Sequence, residues 1–330
     1  MKSVRLILTH EQADFDALAS LMGASLLDEG ALPILPQRIN RNVRIFLTRF
    51  RDKFSFVNSH ELGKNKIESI MIVDTQSLNM VKGMGTQTRI QVLDHHKRRA
   101  NLPKNWQVTI TECGATSTFL VEALQKNQSN LSSLQATLFL LGIYEDTGSL
   151  TYSSTTPRDI HAVAFLLEKG ASLKVANDFL NMPLLPEEIA VYNQLIAGAK
   201  THIINGLRVI VAICEVKDNS SEVSSIVNKL SNLFHFEALF VLVSTTGGIH
   251  IVARSTTDEI DVAEVATYFG GGGHPRAASA FINPTQPLQG KITGKVPIVD
   301  TPNKIYEVIL MILSRFLVSS DSSDTYENSI

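Results

Sequence analysis

Two stretches of this chain, Ile70–Asp74 (IMIVD) and Ile90–Asp94 (IQVLD), are short, nearly continuous apolar runs that each end on an aspartate. Continuous rather than alternating apolarity belongs to strands covered on both faces, which is the pattern of a parallel sheet. Val4–Thr9 and Leu32–Leu35 have the same character. Between and after these runs the spacing turns helical. Asp16–Asp28 places Leu18, Leu21, Ala24, Ser25 and Leu27 on one side, and Asn42–Phe50 carries an arginine-rich outer face. Gly114–Gln125, Ser132–Tyr144 and Thr156–Lys169 continue the helical pattern. Strands alternating with helices, then a run of helices, predict an α/β domain with a mainly parallel sheet and a helical extension.

A length of 330 residues exceeds one ordinary core and predicts two domains. Pro186–Lys200 reads as a connecting helix with Pro186 in its first turn. Beyond it, Leu207–Cys214, Ala238–Ser244 and Ile249–Arg254 read as strands, and Glu222–Leu230 and Ala263–Phe269 as helices, giving a smaller α/β unit. The expected layout is a first domain over 1–185, a linker helix over 186–200 and a second domain over 201–290. Residues 291–330 would form a linker, a short helix and a polar tail. Pro284, Pro287, Gly290, Gly294 and Pro297 mark the linker, and Thr301–Leu317 is the last helix, with Thr301 as cap. The 30 Lys+Arg against 32 Asp+Glu exclude a polyanion binder that works through bulk charge, and no extended basic track stands out. No apolar run approaches the ~18 residues of a membrane helix, and the charged amino terminus is no signal peptide. Two cysteines without a CxxC exclude a disulfide framework and a thiolate zinc site. A soluble, cytoplasmic protein is expected.

The acids and imidazoles are not scattered. His10, Asp14 and Asp16 follow the first strand, Asp74 ends IMIVD, Asp94, His95 and His96 end IQVLDHH, and Asp146 lies just beyond an apolar helix, in EDTG. In open α/β sheets ligands gather outside the carboxyl ends of strands, so one crevice can collect all four groups. A single aspartate after a strand is ordinarily a cap or turn residue. Four groups together would repel one another unless cations neutralised them. Carboxylates with a minority of imidazoles suit hard or borderline divalent ions, and two such ions can clamp the attacking and leaving oxygens of a phosphoryl displacement. Asp74 is the natural bridge.

HEQADFDALAS, VDT, DHH and EDTG, in that order, resemble motifs I to IV of the DHH phosphoesterase superfamily, and ARSTTDEIDVAEVATYFGGGGHPRAASA resembles its accompanying DHHA1 domain. The resemblance implies an active-site cleft between the two domains and two divalent metal ions, Mn²⁺ favoured over Mg²⁺. One ion would be held by His10 and Asp14, the other by Asp16, His95 and Asp146, with Asp74 bridging. His96 would face the phosphate, and Asp94 would orient the cluster. In the second domain the resemblance points to Arg254, Ser255, Gly271, Gly272, Gly273, His274 and Arg276 as substrate-binding residues. Glycines lacking Cβ let backbone amides approach an anion, and arginine can grip a phosphate bidentately. Ser279 stands where the family usually has glycine. GATST at Gly114–Thr118 opens a helix that either binds an anion or is merely capped. Lys97, Arg98, Arg99 and Lys104 form either a solvated face or a steering patch.

The chain most resembles nanoRNase-type DHH–DHHA1 proteins. It also resembles the DHH segment of bacterial fusions that continue into CBS and poly(A)-polymerase-like modules, on NRNVRIFLTRF, LGIYEDTGSLTY and TTPRD. GKVPIVDTPNKIYEVILMIL resembles the start of a CBS module. The expected function is metal-dependent hydrolysis of short oligonucleotides or nucleotide phosphates (nanoRNA, pApA or pAp). The rivals are a nucleotide- or RNA-binding regulatory module of a nucleotidyltransferase system and, with less support, an inorganic pyrophosphatase. A homodimer, and association with CBS or nucleotidyltransferase modules, are further expectations.

Overall fold

The computed structural model describes residues 3–62, 65–78, 81–216, 223–283 and 301–320. The chain divides into two compact units, Met1–Met182 and Pro183–Ile330. The expected linker residues Pro284, Pro287, Gly290, Gly294 and Pro297, and the polar tail from 321 onward, lie outside the described residues. Among the described residues no helix is long and apolar enough to cross a membrane.

The first unit is built on six parallel strands: β1 (Ser3–Leu8), β2 (Ala31–Leu35), β3 (Val57–Asn58), β4 (Lys66–Val73), β5 (Arg89–Asp94) and β6 (Gln107–Ile110). Their spatial order is β3-β2-β1-β4-β5-β6. The order reverses between β1 and β4, the position at which an open α/β sheet leaves a crevice at its carboxyl end. The register pairs Leu8 with Ile72 and Val73 with Leu93. The residues that follow β1, β4 and β5 therefore emerge side by side.

Helices α1 (Phe15–Leu27), α2 (Arg41–Phe50), α3 (Thr116–Lys126), α4 (Ser133–Thr147), α5 (Pro157–Glu168) and α6 (Leu173–Leu180) complete the unit. The main core joins α1, α3 and α4 to the sheet through Phe15, Leu18, Leu21, Leu120 and Phe139, all at most 2% exposed. The opposite sheet face is covered by loop residues, Leu78, Val81, Met84 and Trp106, over Leu6, Ile70 and Ile72. Both faces are thus buried, as continuous apolar strands require. The short strands β3 and β6 and the helix α6 are additions to the sequence reading.

The second unit begins with α7 (Pro186–Gly198), β7 (Lys200–Ile204), β8 (Leu207–Glu215) and α8 (Val223–Ser231). It continues with β9 (Ala238–Thr245), β10 (Gly248–Ser255), α9 (Val262–Tyr268), β11 (Gly272–His274), β12 (Ala277–Ile282) and α10 (Pro302–Ser320). Its sheet runs β11-β12-β10-β9-β8-β7, with only β8 and β9 parallel. α7 and α8 cover one face through Val191, Leu195, Ile226 and Leu230, and α9 and α10 cover the other through Val265, Phe269, Ile305 and Ile309.

Candidate metal centre

The motif residues of the first unit meet at the β1/β4 switch point. His10 follows β1, and its Nε2 lies 3.4 Å from Asp74 Oδ2. Its Nδ1 is 2.8 Å from the Glu11 carbonyl, so Nδ1–H donates there and Nε2 is the nitrogen nearer Asp74. Asp74 directly follows β4. It is 2% exposed and has a left-handed backbone (φ 58°), uncommon outside glycine and held here by its N–H bond to the Leu93 carbonyl, 3.0 Å. His95, after β5, sets Nε2 at 3.6 Å from Asp74 Oδ1 and 3.0 Å from Asp146 Oδ2. The two Asp74 oxygens thus face different imidazoles.

Two ligand sets follow, His10–Asp14–Asp74 and Asp16–Asp74–His95–Asp146, each with its candidate donor atoms within 4.8 Å of one another. Asp74 is common to both. A third set, Asp74–Asp94–His96, adjoins them. Asp14 caps α1, accepting from the Ala17 N–H at 3.0 Å. Asp16 is fully buried, and its two oxygens accept from the Thr116 and Ser117 amides at 2.8 and 2.9 Å. Asp16 is therefore the anion at the GATST helix start, where exposed amides and the dipole favour negative charge.

Asp146 lies in the last turn of α4, not beyond the helix as the sequence suggests, because Gly148 closes that helix in the left-handed conformation (φ 56°). Glu145 beside it is a residue the sequence reading missed. Its carboxylate accepts from the Phe15 amide at 2.6 Å and from Asn42 Nδ2 at 3.5 Å. Two acids at a helix carboxyl end oppose the dipole, an arrangement a bound cation would relieve.

The electrostatics point the same way. Burial, then the negative charges of Asp16, Asp14, Asp146 and Asp94, push the Asp74 carboxyl well above the usual range. Burial and the charge of Asp14 do the same to Glu145. Burial raises Asp146 to about 6 against the opposing bond from His95. Burial would lower His95, but Asp146, Asp16 and Asp94 overcome it and raise the imidazole to about 9. Such a cluster holds protons tightly because its buried acids repel one another when ionised. The oxygen-and-imidazole donor set fits hard or borderline divalent cations, with Asp74 placed to be shared.

Asp94 behaves differently. Burial pushes it up, but bonds from His96 Nδ1 (2.7 Å), from Gln76 Nε2 (2.7 Å) and from the His95 and His96 amides bring it to about 2. It stays ionised and fixes the His96 ring with Nδ1–H toward Asp94. Gln76, also missed, completes the brace: its Oε1 accepts from the Arg99 amide at 2.8 Å. Arg99 also donates to Ser77 Oγ, which makes this part of the basic run a bonded loop rather than a loose patch.

In the second unit the glycines have a nearer reason than an anion. Gly272–His274 is a strand paired with β12, and a Cβ on Gly271 or Gly273 would collide with the Ser279 or Ala277 carbonyl oxygen. Only Gly272 of these three faces open space. Ser279 pairs with both Gly272 and Val252 and leaves the strand regular. Arg254 donates to Asn228 Oδ1 at 2.8 Å and to the Ala253 carbonyl at 3.0 Å. Ser255 is buried, its hydroxyl on the Thr257 carbonyl. Arg276 bonds Asp258 through Nη2 at 2.7 Å, while its buried Nη1 has no hydrogen-bond partner among the described residues. His274 is exposed.

Comparison with known proteins agrees with this geometry. Residues 5–143 match the DHH family, N-terminal domain, and residues 206–289 match the DHHA1 domain. An A-adding tRNA nucleotidyltransferase of Geobacter sulfurreducens is 30% identical over 305 residues, covering 90% of this chain but 35% of that protein. The chain thus spans about a third of that relative's length. A bifunctional oligoribonuclease and PAP phosphatase NrnA of Mycoplasma genitalium is 28% identical, with 66% of each chain covered. An exopolyphosphatase-related protein of Bacteroides fragilis shares the fold, with a TM-score of 0.71 at 16% identity, covering 96% of this chain and 94% of its own. With the motif residues gathered at the switch point and both family patterns in sequence order, the chain is a DHH-family protein carrying a DHHA1 domain.

Proposed function

We propose that this chain is a metal-dependent phosphodiesterase that hydrolyses short oligonucleotides or nucleotide phosphates such as nanoRNA, pApA or pAp. The observation that carries the reading is Asp74, buried and shared by two sets of ligand atoms, with one oxygen toward His10 and the other toward His95. His10, Asp14 and Asp74 would hold one divalent ion, and Asp16, Asp74, His95 and Asp146 the second. Bound ions of this kind acidify water and draw negative charge from a phosphoryl oxygen. The chain's own residues do the rest. Asp94, ionised at neutral pH, fixes the His96 ring so that Nε2 can meet a phosphoryl oxygen or carry a proton there. Asp16 is immobilised by two amides, so its oxygens keep their place when the ligand set changes charge. In the DHHA1 domain, Arg276 offers its unmatched Nη1 to an anionic part of the substrate.

The relative that joins oligoribonuclease and PAP phosphatase activities supports this substrate class. The likeness to about a third of a tRNA nucleotidyltransferase supports a second reading, a nucleotide- or RNA-binding module that serves an adenylyl-transfer system. The purified chain, supplied with Mn²⁺ or Mg²⁺ and labelled pApA, pAp, short RNA and pyrophosphate, separates them. Metal-dependent release of mononucleotide or phosphate from the nucleotide substrates sustains the hydrolase. Binding without cleavage gives the regulatory reading, and turnover of pyrophosphate alone gives a pyrophosphatase.

A further inference from the structure

The segment 37–53 (QRINRNVRIFLTRFRDK) holds six of the 30 Lys and Arg residues of the chain and one acid, Asp52, although the whole chain has a net charge of −2. The metal cluster makes no use of it. The fold attaches it to that cluster nonetheless. The Gln12 amide bonds the Arg38 carbonyl at 3.0 Å, the Asn40 amide bonds the Ala13 carbonyl at 2.9 Å, and Ala13 bridges Ile39 in parallel fashion. The Arg38 amide bonds Glu11 Oε2 at 3.0 Å. Asn42 reaches Glu145. The loop that supplies His10 and Asp14 is therefore tied by its backbone to the start of α2.

From there α2 runs as a two-faced helix. Val43, Phe46 and Leu47 are buried, with the Phe46 ring edge-on to Phe15 and Phe179 at 5.6 and 5.1 Å. Arg44, Ile45, Thr48 and Arg49 form the exposed face, and Arg38 is exposed just before the helix. Positions 41, 44, 45, 48 and 49 follow helical spacing, so the cations form one stripe. At 1.5 Å per residue the stripe extends about 12 Å from Arg41 to Arg49, roughly two nucleotides of an extended strand. Arg51 donates to the Phe54 and Phe56 carbonyls, Arg44 keeps one longer bond from Nη2 to the Ile39 carbonyl at 3.3 Å, and the Arg49 guanidinium lies 5.4 Å from the centre of the Phe50 ring. Exposed guanidinium groups at this spacing, with Ile45 as apolar surface between them, match a single strand whose phosphates repeat along its length.

We infer that the arginine stripe of α2, with Arg38, Arg44 and Arg49 as its exposed cations, is a track for the phosphate backbone of a single-stranded RNA whose end reaches the metal centre. The inference rests on the phosphodiesterase reading for what happens at that end, but not for the binding itself. It widens the substrate class from dinucleotides to longer strands, against the sequence-based expectation that no track exists.

The test uses the full chain and its Arg44→Glu/Arg49→Glu variant, with Arg44→Lys/Arg49→Lys as the charge-preserving control. Both positions are exposed, and unchanged thermal unfolding confirms the fold. Fluorescence anisotropy with a labelled 12-nucleotide RNA, titrated at several salt concentrations, is the first readout. The Glu variant should bind at least tenfold more weakly, and its slope of log K against log salt should be shallower by about 1.4, the loss of two phosphate contacts. The Lys variant should keep the slope. Hydrolysis of pApA and of 5- and 12-nucleotide RNA is the second readout, and the rise in KM should grow with length. Equal binding and equal slope in wild type and Glu variant overturn the track. An enzyme inactive on every length, with the anisotropy difference intact, would instead sink the phosphodiesterase reading and leave the track standing.

Discussion

Two neighbourhoods of buried carboxylate sit within the first unit, and they are solved in opposite ways. Asp159, fully buried at the start of α5, accepts from the Gly114 amide, Thr118 Oγ1, and the Thr156 amide and hydroxyl, all between 2.6 and 3.0 Å. Every lone pair there has a proton donor, and the acid stitches the start of α3 to the start of α5. Around Asp74 the charges of Asp16, Asp14, Asp146 and Asp94 all act on the carboxyl, the His10 and His95 imidazoles stand at 3.4 and 3.6 Å, and Thr116 Oγ1 donates to it at 3.1 Å. A carboxylate wrapped in donors is finished without help. A carboxylate that faces its own kind is stable only when a proton or a metal ion joins it.

That contrast can be broken at either end. The largest effect is expected for Asp74→Ala, which removes the ligand common to both sets: turnover should fall by at least about 10³-fold, while the metal-free protein unfolds at the same temperature or higher because a repelled charge has gone. Retention of wild-type activity, followed by single-turnover hydrolysis, would refute the bridging role. Asp159→Ala should do the reverse. Leaving the Gly114 and Thr156 donors without partners costs about 3 kcal/mol, so calorimetry should show the first unit melting roughly 6–12 °C lower. An unshifted melting temperature would mean water replaces those bonds without loss.

Next in size is the response to metal and pH. Without metal, Asp74, Asp146 and His95 bind protons more tightly in the folded chain than in the unfolded one. The His95 contribution to stability is fully present below about 6.5 and is lost as pH rises through about 9. The raised carboxyls act in the same direction, so the metal-free protein should lose stability from about pH 4 to pH 9. Asp94 opposes this only in acid, where its contribution fades as pH falls toward about 2. A divalent ion displaces those protons, and saturating Mn²⁺ at about 100 times its Kd adds roughly 2.7 kcal/mol. Its melting-temperature shift should therefore be larger at pH 8 than at pH 5.5; equal shifts would place the ion elsewhere. The smallest effect should come from Arg276→Ala, a rise in KM of about tenfold with kcat little changed. A fall in kcat at constant KM would move Arg276 to the reacting phosphate.

The sequence made the strand ends legible because each acid directly follows an apolar run, so position and chemistry could be read together. It did not reveal Gln76 or Asp159, whose importance lies in partners 18 and 45 residues away. Glu145 was overshadowed by its neighbour in EDTG, since nothing local tells which of two adjacent acids faces Phe15. In α6, eight residues are too few for a helical period to stand out, and β11 hides because two of its three residues are glycines, which are depleted in strands. For the glycines expected to bind substrate, strand contact at Gly271 and Gly273 is a reason that needs no ligand.

The grip of Thr116 and Ser117 on Asp16 has one more consequence. Whatever changes the charge on that carboxylate must alter the shielding of those two backbone protons, buried at the start of α3 and remote from any bulk-water exchange. A nitrogen–proton correlation spectrum would show them as a native pair of resonances that titrates with added cation, letting occupancy of the centre be followed without a substrate, a dye or a substitution.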